Sequence, residues 1–301
     1  MGLDVNGTRF LLYARNKGVS FERTAMIGRQ GLHLDAAALN RNLSEFGCSL
    51  SETEISRLLS ESGGYAEPLL RLLGADEVCS FDASDYEQAS VIHDFNLPID
   101  ESFRNRFSVV LDGGTLEHIF NFPTAIRNCL KMIEPGGCFL GITPANNFLG
   151  HGFYQFSPEL FFRIFSQQNG FSLVQMLLFE DRPDAEWFEV TDPDLIRERV
   201  TLVNQQPVYL LIIARKQASV QLFASPPQQS DYAALWKQNA QPALFAAMSS
   251  GSGSQPAGSG RVSALLRRAM RLAARQIRGR RALSPDGTSW NPRFFRKIRV
   301  P

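Results

Sequence analysis

The sequence lacks the features that mark membrane-spanning, secreted and metal-binding proteins. No stretch approaches the roughly 18 uninterrupted apolar residues that a membrane-spanning helix needs. The N-terminus, MGLDVNGTRF, has neither the basic region nor the apolar core of a secretion signal. The four cysteines form no CxxC pair and do not have zinc-ligand spacing. We therefore expect a cytoplasmic protein with buried, reduced thiols and no metal site.

The charge is unevenly distributed along the chain. Residues 261–301 hold twelve of the 31 Lys and Arg residues but only one of the 30 acids, Asp286. The tail is therefore strongly basic, and residues 1–260, with 19 basic and 29 acidic residues, form an acidic body.

The organisation of the chain follows from its composition. A hydrophobic share of 44% and a charged share of 20% are typical of a soluble globular protein. The Gly/Ser-rich stretch SSGSGSQPAGSG has the composition of a flexible linker. We predict four segments: a main domain at 1–217, a peripheral extension at 218–248, this linker at 249–260 and a basic tail at 261–301.

Within the main domain, short apolar runs alternate with helical patterns, which is typical of a mostly parallel sheet with helices on both faces. The last two apolar runs, FSLVQMLLFE and VYLLIIARK, have no clear crossover helix between them and predict an antiparallel edge. The predicted fold is a Rossmann-like, seven-stranded α/β sheet. Its other strands are RTAMIG, EVCSFD, SVIHDF, FSVVLD and CFLGIT, and its helices are YAEPLLRLLG, FPTAIRNCLKMI and PELFFRIFSQQN.

Polar residues follow several of these strands, where ligands bind in open α/β sheets. The second strand ends at Asp82, the third is followed by HDFNLP (93–98), and the fourth runs into DGGTLEH (112–118). The fifth follows LKMIEPGG. In order and spacing these motifs resemble the class I S-adenosylmethionine-dependent methyltransferases over roughly residues 66–180.

The resemblance implies S-adenosylmethionine as cofactor, with Asp82 on the ribose and Asp94 near the adenine. It also places Gly28 and the turn formed by Asp112, Gly113 and Gly114 near the methionine moiety. The first strand departs from the family pattern, because TAMIGRQGLHL has Met26 in place of an acid and lacks GxGxG. Arg29 and Gln30 are predicted to replace the missing contacts by holding the cofactor carboxylate. A segment at about 33–64 is inserted before the next helix.

The loop after the fifth strand, PANNFLGHGFYQF, is predicted to face the acceptor. His151, between two glycines, is the candidate general base, because an imidazole titrates near neutral pH. His118 is a second catalytic candidate, and the predicted acceptor-binding residues are Asn146, Asn147, His151 and Tyr154. The structural alternatives are that Glu117 begins a helix, that His118 is a packed histidine and that the loop is simply a polar surface loop.

The basic tail has helical spacing of its apolar residues over 261–281, with arginines on the rest of the wheel. We expect it to lie on an anionic membrane surface at the inner face, with Trp290, Phe294 and Phe295 as interfacial anchors. An acidic protein partner or a solvated tail are the alternatives. Nucleic acid is less favoured, because no aromatic residues alternate with the arginines.

Two functions from different classes follow from these residues. The first is a methyltransferase acting on a small-molecule or glycan acceptor. By analogy with similar methyltransferases, it would methylate an oxygen in surface polysaccharide assembly. The second is a noncatalytic protein that keeps the fold as a binding or scaffold module, an alternative that the altered glycine loop favours.

Overall fold

The computed structural model describes residues 2–233 and 290–300, and the chain divides into two compact units. The larger unit takes in Met1–Asp192, Gln206–Pro227 and Phe295–Pro301, and it contains every candidate site residue. The smaller unit takes in Pro193–Gln205 and Gln228–Phe294. The predicted linker and amphipathic helix (249–281) lie outside the described residues.

The described residues form a run of strands and α-helices that alternate for much of the chain. In order they are β1 (Gly2–Leu3), α1 (Val5–Asn16), β2 (Arg23–Ile27), β3 (Gly31–Leu32), α2 (Ala36–Glu45), α3 (Glu52–Glu61), α4 (Glu67–Leu72), β4 (Glu77–Asp82), β5 (Val91–Ile92), β6 (Phe107–Asp112), α5 (Phe122–Met132), β7 (Ile133–Asn146), α6 (Pro158–Ile164), β8 (Phe171–Glu180), β9 (Phe188–Val190), α7 (Pro193–Ile196), β10 (Val208–Lys216) and β11 (Phe295–Lys297).

One large sheet organises the larger unit, with strand order β11-β9-β8-β10-β7-β6-β2-β4-β5. Strands β5, β4, β2, β6 and β7 are parallel to one another. The chain runs outward from β2 through β4 to β5 and then returns to β6 on the other side of β2. This reversal places a topological switch point between β2 and β6, where open α/β sheets bind ligands.

The sheet confirms the predicted Rossmann-like α/β class and changes its details. All seven predicted strands are present, and β8 and β10 pair antiparallel as expected. The seven-strand count is not exact, because β9 and β11 extend the sheet to nine strands among the described residues. The reversed strand β10 is not at an edge, because it lies between β7 and β8. The fold is the one that the resemblance to the class I methyltransferases implies.

The central strands are buried on both faces, as their continuous apolar runs predict. Every residue of β6 is buried. Alternate residues of a strand point to opposite faces. In β7, Leu140 belongs to the core cluster that includes residues of α1 to α4, while Phe139 stacks on Phe165 at the end of α6. Helices therefore cover both faces.

The inserted segment before α4 is helical. Its first helix, α2, begins after Asp35, whose side chain accepts a hydrogen bond from the Ala38 amide. Its second helix, α3, begins with a capping box formed by Ser51 and Glu54. Apolar residues of both helices pack into the same core cluster as α1, so the insertion extends the core on one face of the sheet.

The C-terminal residues differ from the prediction of a separable tail. Strand β11 pairs antiparallel with β9, so residues 295–297 are part of the sheet. Phe294 and Phe295 are buried, and they are not available as interfacial anchors. The sequence misled here because a short apolar pair in a basic segment has no local sign of a partner 100 residues away. A truncation before Arg261 would remove a strand of the domain.

We expect Phe295→Ala to lower the free energy of unfolding by about 3 kcal/mol, because it deletes a buried aromatic ring. Chemical denaturation measures the change. Lys297→Ala on the same strand is the matched control. Its exposed ion pair with Glu186 should contribute less than about 1 kcal/mol. Equal stability of the two variants would mean that β11 is not part of the folded domain.

All four cysteines are free thiols, and Cys79, Cys129 and Cys138 are buried as expected, while Cys48 is partly exposed. Within residues 2–233 and 290–300, no helix has both the length and the apolar character needed to cross a membrane.

Candidate functional site

The loop after β2 forms one side of the switch point. Gly28 has a φ of +72°, a conformation that side chains rarely adopt, and its amide donates to the Phe81 carbonyl. A Cβ at this position would lie 2.5 Å from Oγ1 of Thr115. Thr115 Oγ1 in turn donates to the Ile27 carbonyl over 2.7 Å. The loops after β2 and β6 are therefore in direct contact, and glycine is required at position 28.

Arg29 does not have the free guanidinium that holding a cofactor carboxylate would require. Its Nε donates to Glu67 over 2.7 Å, and Nη1 donates to the Glu87 carbonyl over 2.9 Å. The guanidinium also lies 3.9 Å from the ring centre of Tyr65. These partners could not be predicted from sequence, because Glu67 lies in α4 and Glu87 in the loop after β4, both far along the chain from Arg29.

Gln30 lies beneath the loops, with only 1% of its surface exposed. Its Nε2 donates to the Ile27 carbonyl over 2.7 Å. Its Oε1 is buried and has no hydrogen-bond partner among the described residues. A Cβ on Gly113 would lie 2.4 Å from this oxygen. Gln30 therefore fills the gap between the two loops.

We expect Gly113→Ala to destabilise the protein by about 1–3 kcal/mol, because the new methyl group overlaps Gln30. In the Gln30→Ala background the same change should cost much less, since the overlapping side chain is gone. A double-mutant cycle by thermal or chemical denaturation measures the coupling, which should be about 0.5–3 kcal/mol. Additive effects would show that the two residues do not share this space.

Asp82 and Asp94 follow adjacent strands at the same edge of the sheet. Asp82 ends β4 and is half-buried, and its Oδ1 accepts a 3.2 Å bond from the Ser84 amide. Asp94, after β5, is exposed and accepts bonds of 2.8 Å from both the amide and the side chain of Asn96. The backbone bond from Asn96 lowers the pKa of Asp94. Both carboxylates can accept hydrogen bonds from a ligand.

Asp112 ends β6 and is buried. Its Oδ1 accepts from the amides of Thr115 and Leu116, over 2.9 and 3.2 Å. Burial raises the pKa of Asp112, and the bonds from its own loop partly oppose that rise. The Asp112 side chain therefore fixes the turn through Gly113 and Gly114, and it is the turn's backbone that can approach a ligand.

Glu117 lies in a short 3-10 helix, Leu116–His118, and its side chain is fully buried. Glu117 is in the first turn of this helix, in agreement with the alternative that it begins a helix. Its Oε2 lies 3.4 Å from the Thr143 hydroxyl, and its Oε1 lies 3.6 Å from Nε2 of His151. Burial raises the pKa of Glu117, and the nearby Asp112 carboxyl raises it further.

The loop after β7 is held against Glu117 by backbone contacts. The Glu117 carbonyl accepts from the amides of Phe153 and Tyr154, over 2.8 and 3.2 Å. A Cβ on Gly152, where φ is +71°, would lie 2.8 Å from that carbonyl. Gly152 thus allows the close approach that sets the partly exposed His151 beside Glu117.

His118 completes this group. It is exposed, and its ring centre lies 5.1 Å from that of His151. Partial burial lowers the pKa of His118, and the charge of His151 lowers it further. One possible ligand atom each from Glu117, His118 and His151 lies within 4.8 Å of the others. The two histidines predicted from sequence therefore do meet.

The other predicted acceptor residues make contacts within the protein. The Tyr154 hydroxyl donates to the Phe120 carbonyl over 2.6 Å, and Asn147 donates to the Gln206 carbonyl over 2.8 Å. Asn146 is the last residue of β7 and pairs with Val208 of β10. These three residues shape the loop that carries His151.

The sequence prediction undervalued Glu117 and did not include Gly152 or Thr115. The one available signal was the pair of glycines around His151, since a glycine beside a polar residue often marks a close backbone approach.

No protein-family model matches the chain, and no curated protein matches it in sequence. Solved structures similar to it include the branched-chain polyamine synthase from Thermus thermophilus, at 12% identity and a TM-score of 0.36. That match covers 76% of this chain and 61% of the synthase, so the chain spans about three fifths of the synthase's length.

Two methyltransferase structures are also similar. An S-adenosylmethionine-dependent methyltransferase from Mesorhizobium loti has 14% identity and a TM-score of 0.40, covering 71% of this chain and 100% of that one. The 1,6-didemethyltoxoflavin-N1-methyltransferase from Burkholderia thailandensis has 14% identity and a TM-score of 0.37, covering 71% and 78%.

Proposed function

We propose that the chain is a methyltransferase that uses S-adenosylmethionine and acts on a small-molecule acceptor. The observation that carries this proposal is the set of polar groups at the carboxyl ends of the parallel strands. Asp82 follows β4, the glycine turns follow β2 and β6, and the Glu117–His151 pair joins the loops after β6 and β7. This edge is where a sheet of this topology binds a nucleotide-like ligand.

The residues at the switch point fit this cofactor. One Asp82 carboxylate can accept from both ribose hydroxyls, and within the described residues its one hydrogen bond is the 3.2 Å contact with the Ser84 amide. Asp94 would accept from the adenine amino group. Gln30 Oε1, buried without a partner among the described residues, is an acceptor that an ammonium donor of the cofactor would satisfy. When bound, the cofactor supplies an electrophilic methyl group.

The acceptor side is formed by the His151 loop. His151 lies beside Glu117, with Nε2 3.6 Å from Oε1 of Glu117, and its side chain is 38% exposed. In this arrangement His151 takes the proton from the acceptor, and Glu117 stabilises the imidazolium that forms. His118 lies against His151 and helps to form the same polar surface. Transfer itself depends mostly on holding the acceptor in line with the methyl group.

We further propose that the acceptor atom is an oxygen, and that this oxygen is a sugar hydroxyl methylated in surface polysaccharide assembly. Both proposals rest on the resemblance in sequence motifs and on the presence of a base beside the acceptor position. The test is to incubate the full-length protein with isotopically labelled cofactor and a panel of sugars, nucleotide sugars and small amines. Label in a sugar supports the proposal, label only in amines contradicts the oxygen acceptor, and no label in any compound contradicts the activity.

A noncatalytic binding module is the second candidate, and one observation favours it. The gap between the loops after β2 and β6 is filled by Gln30 and Thr115. If that packing is permanent, the methionine half of the cofactor has no place to bind. Binding of cofactor without turnover, or no binding at all, would favour this candidate.

For the basic tail we propose attachment to an anionic membrane surface at the cytoplasmic side. Each arginine near such a surface contributes about 1 kcal/mol. Replacing Arg267, Arg268, Arg271, Arg275 and Arg278 with Gln in the full-length protein keeps β11 in place. We expect this variant to lose sedimentation with phosphatidylserine vesicles at low salt. Equal sedimentation of variant and wild type would contradict the proposal.

A further inference from the structure

Three side chains of metal-ligand type meet on the acceptor side of the sheet. Ligand atoms of Glu117, His118 and His151 all lie within 4.8 Å of one another. An ion with bonds of about 2.0–2.2 Å needs its donors within roughly 4 Å of one another. The largest separation seen here exceeds that limit by less than about 1 Å.

We propose that Glu117, His118 and His151 bind one divalent transition-metal ion, for which Zn²⁺ is the best match. Two imidazoles and one carboxylate are a donor set that suits Zn²⁺ and its first-row neighbours. Three protein ligands leave at least one coordination position open. Our sequence-based expectation of no metal site considered cysteine spacing, and histidines 33 residues apart in the chain gave no local signal.

The Glu117 side chain provides a second, independent observation. It is fully buried, and Oε1 has no hydrogen-bond partner among the described residues. Nε2 of His151 lies 3.6 Å from this oxygen, which is too long for a hydrogen bond. A buried polar atom without a partner costs free energy. A metal bond from Oε1 would remove that cost.

The site is also reachable from solvent. His118 is exposed and the His151 side chain is 38% exposed, so an ion can enter without unfolding the loop. In the ion-loaded protein the open position would polarise an oxygen of the acceptor, whereas in the metal-free protein the free His151 imidazole would act as the base. This last role rests on the proposed function, whereas binding of the ion does not.

The test is metal binding by the tag-free, full-length protein without cofactor. Calorimetry measures the binding of Zn²⁺, and visible absorption measures the binding of Co²⁺. We expect one ion per chain. Glu117→Gln and His118→Ala should each weaken binding at least about tenfold, since each removes a ligand. His118 is exposed, so its replacement should leave the fold intact, which circular dichroism checks.

The matched control is the double variant His33→Ala/His93→Ala, which removes the two histidines outside the cluster. It should bind Zn²⁺ as wild type does. The proposal is overturned if wild type binds no ion, if the control loses binding, or if His118→Ala and Glu117→Gln bind as tightly as wild type. Because the assay contains no cofactor, failure of the methyltransferase proposal would not alter its result.

Discussion

Replacing His151 with alanine is expected to lower turnover by about 10²- to 10⁴-fold, the usual contribution of a positioned general base. The affinity for cofactor should stay within a few-fold of wild type, because the imidazole lies on the Glu117 side of the site and contacts neither Asp82 nor Asp94. Single-turnover kinetics measures the first quantity, and calorimetry with S-adenosylhomocysteine measures the second.

Added imidazole separates a chemical role from a structural one. If His151 takes the proton, free imidazole should restore part of the activity of His151→Ala, since the substitution leaves space beside Glu117. His33→Ala is the control for loss of a histidine elsewhere. Activity of His151→Ala within a few-fold of wild type would show that His151 only shapes the loop.

Asp82→Ala is expected to weaken cofactor binding by roughly 10- to 150-fold. The loss of a charge-assisted pair of hydrogen bonds costs about 1.5–3 kcal/mol, and each 1.4 kcal/mol is a factor of ten in affinity. The fold should be unaffected, because the only hydrogen bond that the carboxylate makes in the part of the chain that the structure describes is the 3.2 Å bond from the Ser84 amide.

Asp85→Ala is the matched control for this prediction. Asp85 is an exposed acid three residues further along the same turn, so its loss changes the local charge equally without removing the proposed ribose contact. We expect its affinity to match wild type. If both variants bind equally well, or lose affinity equally, Asp82 is not the specific ribose ligand.

Much of the sheet could be predicted because its strands are local signals. A continuous apolar run such as FSVVLD identifies a strand buried on both faces, and all six of its residues are buried. The helix α1 was missed, because VNGTRFLLYARN has a glycine, two asparagines and one short apolar cluster. Its start depends on Asp4, which accepts from the Gly7 amide. Strands β9 and β11 have three residues each, too few to show a period.

The candidate site likewise contains residues that local sequence signals predict and residues that only long-range contacts bring together. Asp82 and Asp94 were found because each directly follows a predictable strand. The contact between Glu117 and His151 joins residues 34 positions apart and depends on the backbone approach at Gly152. Gln30 was predicted to hold the cofactor carboxylate, and the sequence did not indicate that its side chain packs against Gly113. Side-chain packing of this kind has no periodic signal in a sequence.

The measurement that tests the central proposal most directly is calorimetric titration of the full-length protein with S-adenosylhomocysteine. Gln30 and Thr115 fill the gap between the loops, and the proposal requires that a ligand can still bind there. We predict saturable binding of one ligand per chain that Asp82→Ala weakens and Asp85→Ala does not. No binding to folded wild-type protein would contradict the methyltransferase proposal and favour a noncatalytic module.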